Sequence, residues 1–298
     1  MVRQYKIHTN LDGTDDKVWD VTNGKVRFYQ PSNLGLQSTN NIWQSNGIGV
    51  MGTRSITQPQ IEFKLETFGE SLEENYQLMK DFINDILNKK FVTLEYQTEI
   101  FQVYADLALA DVTKTEGYGK NGTFSEKITF DIITKWYTYE NLTFEKIQNG
   151  QVLSGKSKIY GGTAPGSYKY VEGISYTYYG ESDIDRLSRW DIKDEIFSFT
   201  GILYPQLPKT PTGVRFLDDI GNEYTAIVFK TEQLQNYILI NTDVNDEIYQ
   251  GWNGTTPLNL FPVMDFERYR TRIIEKGQME LINLTKAEFK IKRKADFI

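Results

Sequence analysis

Cysteine is absent from this sequence of 298 residues, and histidine occurs once, at position 8. Without cysteine no disulfide can form, so a disulfide-stapled secreted domain is excluded and packing alone must stabilise the fold. A single histidine excludes zinc sites built from several His or Cys ligands, and Ser-His catalysis would have to use His8. His8 lies among polar residues, and we interpret it as a surface or interface histidine.

Long apolar runs are missing as well. No stretch reaches the roughly 18 apolar residues of a membrane span, and the opening MVRQYKIHTNLDGTDD has no apolar signal-peptide core. The formal net charge of −7 disfavours general nucleic-acid binding, which requires a basic surface. We therefore expect a soluble protein made in a cytosol, with neither nucleic acid nor a membrane as its partner.

Aromatic residues are abundant, with 19 Tyr and 17 Phe, and 39% of the chain is hydrophobic. This is enough apolar material for two cores, and the length also suits two domains. Strand patterns dominate both halves, so we predict a mainly β protein of two β-sandwich domains. The first, residues 1–137, contains one helix, and the second, residues 138–298, includes an extension at about 141–195.

The helix is predicted between Ser71 and Lys90, where apolar residues recur at helical spacing. Ser71 and Glu74 have the spacing of a capping box, in which each side chain satisfies a backbone N–H of the first turn. Acidic residues lie at the start of the segment and lysines at its end, as the helix dipole favours. The predicted core-facing stripe, which contains no polar residue, consists of Leu72, Tyr76, Met79, Ile83 and Ile86.

Strands are predicted on both sides of this helix. QIEFKLETF before it alternates apolar and polar residues, which is typical of a strand with one buried face, and FVTLEYQT after it has the same character. Asn23-Gly24 lies between short apolar segments and predicts a hairpin turn. Gly47, Gly49 and Gly52 predict a loop, and their spacing matches no phosphate-binding fingerprint.

The segment from Ile61 to Tyr137 has a distinctive order: strand, amphipathic helix, strand, VTKTE, a Gly-rich hairpin, then ITF before an aromatic Trp-Tyr end. This order resembles the N-terminal domain of the distal tail (Dit) proteins of siphophages, and the whole chain is similar to the Dit of lactococcal siphophage baseplates. The resemblance implies a ring-forming β-sandwich followed by a galectin-like β-sandwich. It also implies a homo-hexameric structural hub, without catalysis or cofactor, that joins the tail-tube protein to the tail-tip hub protein at the distal end of the virion tail after assembly in the host cytoplasm.

An arm is a further implication, because in the lactococcal type an extension of the C-terminal domain grips receptor-binding protein trimers. We place it in residues 141–195, which are rich in turn signals and tyrosine, since Tyr offers broad contact area with a polar tip. The same tyrosines would also suit cross-strand pairs within an ordinary sheet, and both interpretations stand. The candidate interface residues are Tyr160, Tyr170, Tyr178, Tyr179, Trp190 and Trp252.

Two charged segments of the second half have competing interpretations. In the basic strand at 290–294 the lysines alternate with other residues, as they do in an exposed edge strand. The other interpretation is that this strand contacts an acidic neighbouring subunit. The loop at 243–247 contains calcium-ligand residue types, but it lacks the EF-hand glycine and glutamate at their required positions, so we favour a turn and predict no metal site.

Sugar chemistry supplies the alternative functions. Trp252 beside Asn253 and Gly254 suggests stacking on a saccharide, so the runner-up function is a carbohydrate-binding module that contacts the host cell surface. Sugar-binding galectins rely on a His–Asn–Arg set, and no histidine follows His8, which is evidence against that type of lectin. A glycan hydrolase is the third and weaker hypothesis, because two carboxylates suffice and several flank Trp190, although a charged loop or strand face explains these more simply.

Overall fold

The computed structural model describes residues 3–13, 15–35, 37–57, 60–114, 125–145, 147–148, 151–152, 184–254 and 256–295. The chain divides into two compact units, one of Met1–Thr138 with Ala295–Ile298 and one of Tyr139–Lys294. Both are built mainly of antiparallel strands, and the described residues contain one α-helix, so the predicted fold class is confirmed.

The first unit is a strongly bent antiparallel sheet in the order β3–β6–β9–β8–β7–β1–β2. The first part of β8 pairs with β7 and its second part with β9, with a register shift between Leu109 and Asp111. Such an irregularity bends a strand, so β8 turns the sheet around the core. The elements are β1 (Gln4–His8), β2 (Val18–Asp20), β3 (Val26–Ser32), β4 (Gln37–Ser45), β5 (Ile48–Thr57), β6 (Ile61–Thr67), α1 (Leu72–Leu87), β7 (Val92–Gln97), β8 (Gln102–Thr113) and β9 (Ser125–Ile132).

Strand β6 buries Ile61, Phe63 and Leu65 and turns its charged residues outward, which confirms the predicted alternation. Strand β7 departs from it, because Thr93 and Glu95 on its polar face are buried too. Buried polar side chains require hydrogen-bond partners, and polar partners from neighbouring strands meet this face. The sequence pattern therefore reveals the apolar face of β7 but not the buried polar contacts behind it.

Of the two turn predictions near the N-terminus, one is partly confirmed and the other is wrong. Asn23-Gly24 lies in a turn as predicted, with the Asp20 carboxylate accepting the backbone N–H groups of Thr22 and Asn23 at 3.0 and 2.9 Å. The flanking strands do not form the predicted hairpin, since β2 pairs with β1 and β3 pairs with β6. The predicted Gly-rich loop is instead part of a hairpin, in which β4 and β5 pair with each other.

Helix α1 begins directly after Ser71, as predicted, and ends at Leu87, three residues before Lys90. The Ser71 hydroxyl accepts the backbone N–H of Glu74 at 3.2 Å, which is the expected N-cap bond. The reciprocal bond of the capping box differs, because the Glu74 carboxylate accepts the N–H of Glu70, at 2.6 Å, instead of the N–H of Ser71. The start of α1 therefore still has two side-chain hydrogen bonds to backbone N–H groups, but the second bond is made to Glu70, one residue before the predicted Ser71.

The second unit is a sandwich of two antiparallel sheets, with strand orders β19–β18–β17–β14–β21–β10 and β13–β20–β15–β16. Large apolar side chains such as Phe199, Phe216 and Phe289 fill the space between the sheets. The elements are β10 (Tyr137–Glu145), which begins at the end of the first unit, β11 (Ile147–Gln148), β12 (Gln151–Val152), β13 (Ile184–Ile192), β14 (Ile196–Pro205), β15 (Thr212–Leu217), β16 (Glu223–Phe229), β17 (Tyr237–Asn241), β18 (Ile248–Trp252), β19 (Pro257–Asn259), a short 3-10 helix (Phe261–Val263), β20 (Gly277–Ile282) and β21 (Leu284–Lys294).

The basic segment at 290–294 belongs to β21, which lies between β14 and β10 inside its sheet, so the edge-strand prediction is wrong. Two of its cations, Lys292 and Arg293, form ion pairs within the unit. Lys292 is buried and its Nζ lies 2.9 Å from Asp243. Arg293 lies 3.2 Å from both Glu140 and Asp194. These internal ion pairs disfavour a contact with an acidic neighbouring subunit.

A second charged group is buried in the other sheet. Glu280 on β20 is 0% exposed, and Arg215 on the neighbouring β15 donates two hydrogen bonds to it at 2.9 and 2.7 Å. Arg268 makes a bidentate contact with Glu223 at 2.8 and 2.6 Å. The planar guanidinium of Arg268 matches the two oxygens of Glu223, whereas Arg215 directs two N–H groups at Oε2 of Glu280.

Candidate assembly surfaces

The β4–β5 hairpin is the most exposed element of the first unit. Ser45 pairs with Ile48 at its tip, and the two residues between them, Asn46 and Gly47, have φ angles of +51° and +79°. Positive φ at both central residues is the two-residue turn that matches the twist of hairpin strands. None of the residues that form the apolar core of this unit comes from the hairpin. The hairpin therefore extends from the β3–β6 pair without burying a face in its own unit.

One face of the hairpin carries three large apolar side chains, and the opposite face carries Ile42 and Met51. Trp43 and Val50 lie directly opposite each other, and Ile48 follows on the same face because its partner is Ser45. These three side chains are between 61% and 70% exposed. A contiguous group of large, exposed apolar side chains marks an interaction site on a soluble protein. We call Trp43, Ile48 and Val50 the hairpin patch.

Helix α1 presents a second exposed apolar surface. The predicted core stripe is only partly correct, because Phe82, Ile86 and Asn75 are the buried residues of the helix. Leu72 and Tyr76 are more than half exposed, although Met79 and Ile83 are half-buried as part of the predicted stripe. Leu87 lies on the same side as Leu72 and Tyr76 at 3.6 residues per turn. We call Leu72, Tyr76 and Leu87, which are 55% to 61% exposed, the helix flank.

His8 is buried, so its interpretation as a surface or interface histidine is wrong. Its side chain lies between two carboxylates, with Nδ1 2.6 Å from Asp16 and Nε2 2.8 Å from Glu95. The imidazole therefore bridges the two carboxyl groups through its two ring nitrogens. Burial on its own raises the pKa of Glu95, but the hydrogen bonds from His8 and Lys6 outweigh it and hold that pKa below the ordinary value of a glutamate. The cluster joins β1 to β7.

We expect replacement of His8 by phenylalanine to cost about 1–3 kcal/mol of stability at pH 7, because the Glu95 and Asp16 carboxylates lose their hydrogen-bond partner in this cluster. Lys6→Met is the control, and it should cost less than about 1 kcal/mol because Lys6 is partly exposed. Urea denaturation followed by circular dichroism gives both values. Equal losses for the two variants would contradict the central position of His8.

The lowered pKa of Glu95 makes part of this stabilisation depend on pH. A carboxyl group with a depressed pKa in the folded state stabilises above its unfolded pKa, about 4.3, and the contribution disappears as the pH falls through the folded value. The stability difference between the wild type and Glu95→Gln should therefore be largest near neutral pH and shrink below about pH 4. Urea titrations at pH 7, 5 and 3 check this; a constant difference across that range would count against it.

Of the six predicted interface residues, Trp190 and Trp252 are described. Trp190 is half-buried and packs against the core of the second unit. Trp252 stacks on Tyr237 with ring centroids 5.8 Å apart, and Tyr204 lies beside Tyr237 at 6.4 Å. The structure does not bring Trp190 and Trp252 together in one surface, since they lie on β13 and β18 of different sheets. Tyr160, Tyr170, Tyr178 and Tyr179 lie outside the described residues.

Sugar binding receives no specific support from Trp252. Its stacking on Tyr237 uses one face of the indole for an internal contact, and its Nε1 is buried without a hydrogen-bond partner among the described residues. A saccharide platform needs an exposed aromatic face, whereas this arrangement is that of a packed cross-strand pair.

The carboxylates of the 243–247 loop are engaged in contacts that define a turn. Asp243 accepts the N–H of Asn245 at 3.0 Å and pairs with Lys292, while Glu247 contacts Tyr249 and Arg272. Within the described part of the chain, no group of three or more metal-ligating side chains is close enough to hold an ion. Over the same residues, no helix is long and apolar enough to cross a membrane.

The hairpin patch was missed by the sequence prediction. Its signal is Asn46-Gly47 flanked by apolar residues, which is the strongest short-range indication of a hairpin. The three glycines nearby led to a loop assignment instead. Gly52 shows why a glycine belongs in this strand, because a side chain there would lie 3.2 Å from the indole Nε1 of Trp43.

Comparison with protein families identifies the class. Residues 4–133 match the family described as "Distal tail protein, N-terminal domain", and residues 135–298 match "Dit, C-terminal domain". The chain therefore belongs to the distal tail protein family of phage structural proteins, and the resemblance drawn from the sequence is confirmed.

Individual relatives are very similar. The chain is 93% identical to the distal tail protein of Lactococcus phage p2 and 90% identical to that of Lactococcus phage SK1, over 100% of both chains in each case. A chain in a structure of the phage p2 baseplate in its activated conformation with Ca is 90% identical, with a TM-score of 0.78 over the full length of both chains. The Dit protein of phage SPP1 is 11% identical with a TM-score of 0.53, also over both full chains, which shows a shared fold.

Proposed function

We propose that this chain is the structural hub of a phage tail tip: a homo-hexameric ring that joins the tail-tube protein and the tail-tip hub protein and holds receptor-binding protein trimers. The observation that supports it most is the 90% identity, over the whole of both chains, to a chain in structures of the phage p2 baseplate. With so few differences, the surfaces that seat that chain in its baseplate are expected here. Its place would be the distal end of the virion tail, after assembly in the host cytoplasm.

The two halves would have separate tasks. Residues 1–137 would form the ring, and residues 138–298, with an extension at about 141–195, would hold the receptor-binding trimers. The two compact units and the two family domains support a division near this point. A ring repeats each weak binding contact on a symmetric scaffold, so several weak contacts act together at a high effective concentration.

The ring is tested by size-exclusion chromatography with light scattering over a wide range of concentrations. The expected result is a species with the mass of six chains, seen as a ring with a central opening by electron microscopy. A monomer at every concentration would refute the proposal. A stable ring of another order would correct the stoichiometry and leave the structural role in place.

The holding role is tested by removing residues 153–183, which leaves β12 and β13 intact. In the control variant a Gly-Ser linker of equal length replaces the same residues, so the spacing is kept and the chemistry is lost. Both variants should form the ring and fail to capture purified receptor-binding trimers in a pull-down. Capture by either variant would show that the grip lies elsewhere in the second half.

A further inference from the structure

The sheet of the second unit that contains β14 has a depression on its outer face, over the neighbouring strands β14, β21 and β10. Its volume is about 280 Å³, close to the lower end of the range of small-molecule sites, about 300–1,000 Å³. We infer that this depression binds an uncharged pyranose, the six-membered ring of a saccharide. The side chains around it are Asn141, Thr143, Thr200, Ile202, Glu288 and Lys290.

The strand pairing between β14 and β21 determines which side chains face this depression. Thr200 lies opposite Lys290, and Ile202 lies opposite Glu288. Phe289, between Glu288 and Lys290 in the sequence, belongs to the apolar core of the second unit. Because successive side chains of a strand point to opposite faces, these two cross-strand pairs lie on the outer face of the sheet.

Three polar side chains of the depression have unused hydrogen-bonding capacity. Leu142 on β10 packs against the core, so its neighbours Asn141 and Thr143 face outward, and both are exposed. Within the described part of the chain, neither of them, nor Thr200, makes a side-chain hydrogen bond or an ion pair. Hydroxyl and amide groups donate as well as accept hydrogen bonds, so they match the hydroxyl groups of a saccharide.

An apolar contact is available beside these polar groups. Ile202 is half-buried, and it is the aliphatic member of the six side chains around the depression. Small-molecule sites combine apolar lining with a few polar groups that fix the orientation of the ligand. A pyranose has C–H groups on the faces of its ring and hydroxyl groups around its rim, so it can use both kinds of contact at once.

The charges around the depression disfavour an ionic ligand. Glu288 and Lys290 contribute one charge of each sign, so an anion would meet the carboxylate and a cation would meet the ammonium group. Lys286 Nζ lies 2.6 Å from the Glu288 carboxylate, and Lys290 Nζ lies 4.0 Å from the centre of the Tyr139 ring. Both charged groups can still form hydrogen bonds with the hydroxyl groups of an uncharged ligand.

This site is separate from the Trp252 position that the sequence suggested for a saccharide. Trp252 lies on β18, and β17 stands between that strand and β14. The aromatic stacking of Trp252 is an internal contact, whereas the depression offers several outward-facing polar groups. The inference is also independent of the proposed ring, because every side chain around the depression belongs to the second unit of one chain.

Saturation-transfer difference NMR on the full-length protein tests the site. The probes are methyl β-glucopyranoside, methyl β-galactopyranoside and methyl β-N-acetylglucosaminide, and sorbitol is the control because it has hydroxyl groups but no ring. At least one glycoside should bind with a dissociation constant of about 1–10 mM, and sorbitol should give no signal. No transfer to any of the three glycosides at about 50 mM, or equal transfer to sorbitol, would overturn the inference.

Substitutions then locate the binding. Thr200→Val and Asn141→Ala should each weaken the glycoside at least about threefold, because each removes one hydrogen-bonding group, while the circular dichroism stays unchanged. Thr256→Val is the matched control, since Thr256 is exposed beside β19, at the opposite edge of the same sheet, and its replacement should leave the affinity unchanged. Wild-type affinity in both test variants would place the ligand elsewhere and overturn the inference.

Two further outcomes separate this site from the other proposals. If no glycoside binds and Ile202→Glu abolishes capture of receptor-binding trimers, the depression is a protein contact and the saccharide inference is overturned. If the protein is a monomer at every concentration and the glycoside still binds through Thr200 and Asn141, the ring is refuted and the saccharide site stands.

Discussion

Replacing Arg215 by methionine is expected to destabilise the second unit by about 3–5 kcal/mol, because it leaves the buried Glu280 carboxylate without the guanidinium that donates two hydrogen bonds to its Oε2. Methionine keeps much of the side-chain volume, so the loss reports the charge and not a cavity. Urea unfolding followed by tryptophan fluorescence, fitted with a separate transition for each unit, measures the effect. A loss below about 1 kcal/mol would contradict it.

Arg272→Met is the matched control. The same substitution removes an ion pair with Glu247 at 2.9 Å, but Arg272 is partly exposed, so the expected cost is less than about 1 kcal/mol. The double variant Arg215→Met/Glu280→Met should be more stable than Arg215→Met alone, since apolar pairs of similar volume replace buried ion pairs at little cost. A double variant less stable than the single one would show that Glu280 contributes through its other contacts.

Replacing Phe82 by alanine is expected to destabilise the first unit by about 3–5 kcal/mol. Phe82 is fully buried and contacts Trp19 and Phe28 edge-on, with ring centroids 5.2 and 5.8 Å apart. Removing its ring leaves a cavity at the place where α1 meets the sheet. The first transition of a urea titration gives the value, and a loss near that of a surface substitution would mean that the helix is not packed as described.

Leu87→Ala on the same helix is the comparison. Leu87 is mostly exposed, so in the dilute monomer its removal should change stability by no more than about 0.5 kcal/mol. The two faces of α1 are then separated by experiment, since the buried face contributes to folding and the exposed face does not. A large loss of stability for Leu87→Ala would place the helix flank in the core.

Much of the fold follows from local sequence patterns. The alternation in β6 and the N-cap at Ser71 depend on neighbours a few residues apart, and both are observed as predicted. The orientation of α1 about its axis did not follow from its sequence, because the apolar arc is wider than the buried arc. Asn75 is buried and accepts the N–H of Gly69 at 2.6 Å, which no apolar pattern indicates.

Contacts between distant residues were beyond sequence reasoning. His8 is surrounded by polar residues in sequence, but its buried partner Glu95 follows 87 residues later, on a neighbouring strand. The same holds for Lys292, because its ion pair with the distant Asp243 is not indicated by any local pattern. The hairpin patch is a different case. Its turn signal, Asn46-Gly47, is visible in the sequence. The sequence does not show that the apolar core of the first unit leaves both faces of the hairpin uncovered.

The position of β21 has a consequence for how the protein is made. This strand completes a sheet whose other members, β14 and β10, are synthesised about 80 and 140 residues earlier, and it pairs between them. Until it emerges, the facing edges of β14 and β10 lack their shared neighbour, and such edges invite pairing with other chains. The strands β1 to β9 of the first unit all lie within its first 132 residues, so on a ribosome its sheet can form before that of the second unit. Because the second sheet is closed by pairing between distant segments, we expect the second unit to fold more slowly and to be the half of the chain more exposed to aggregation.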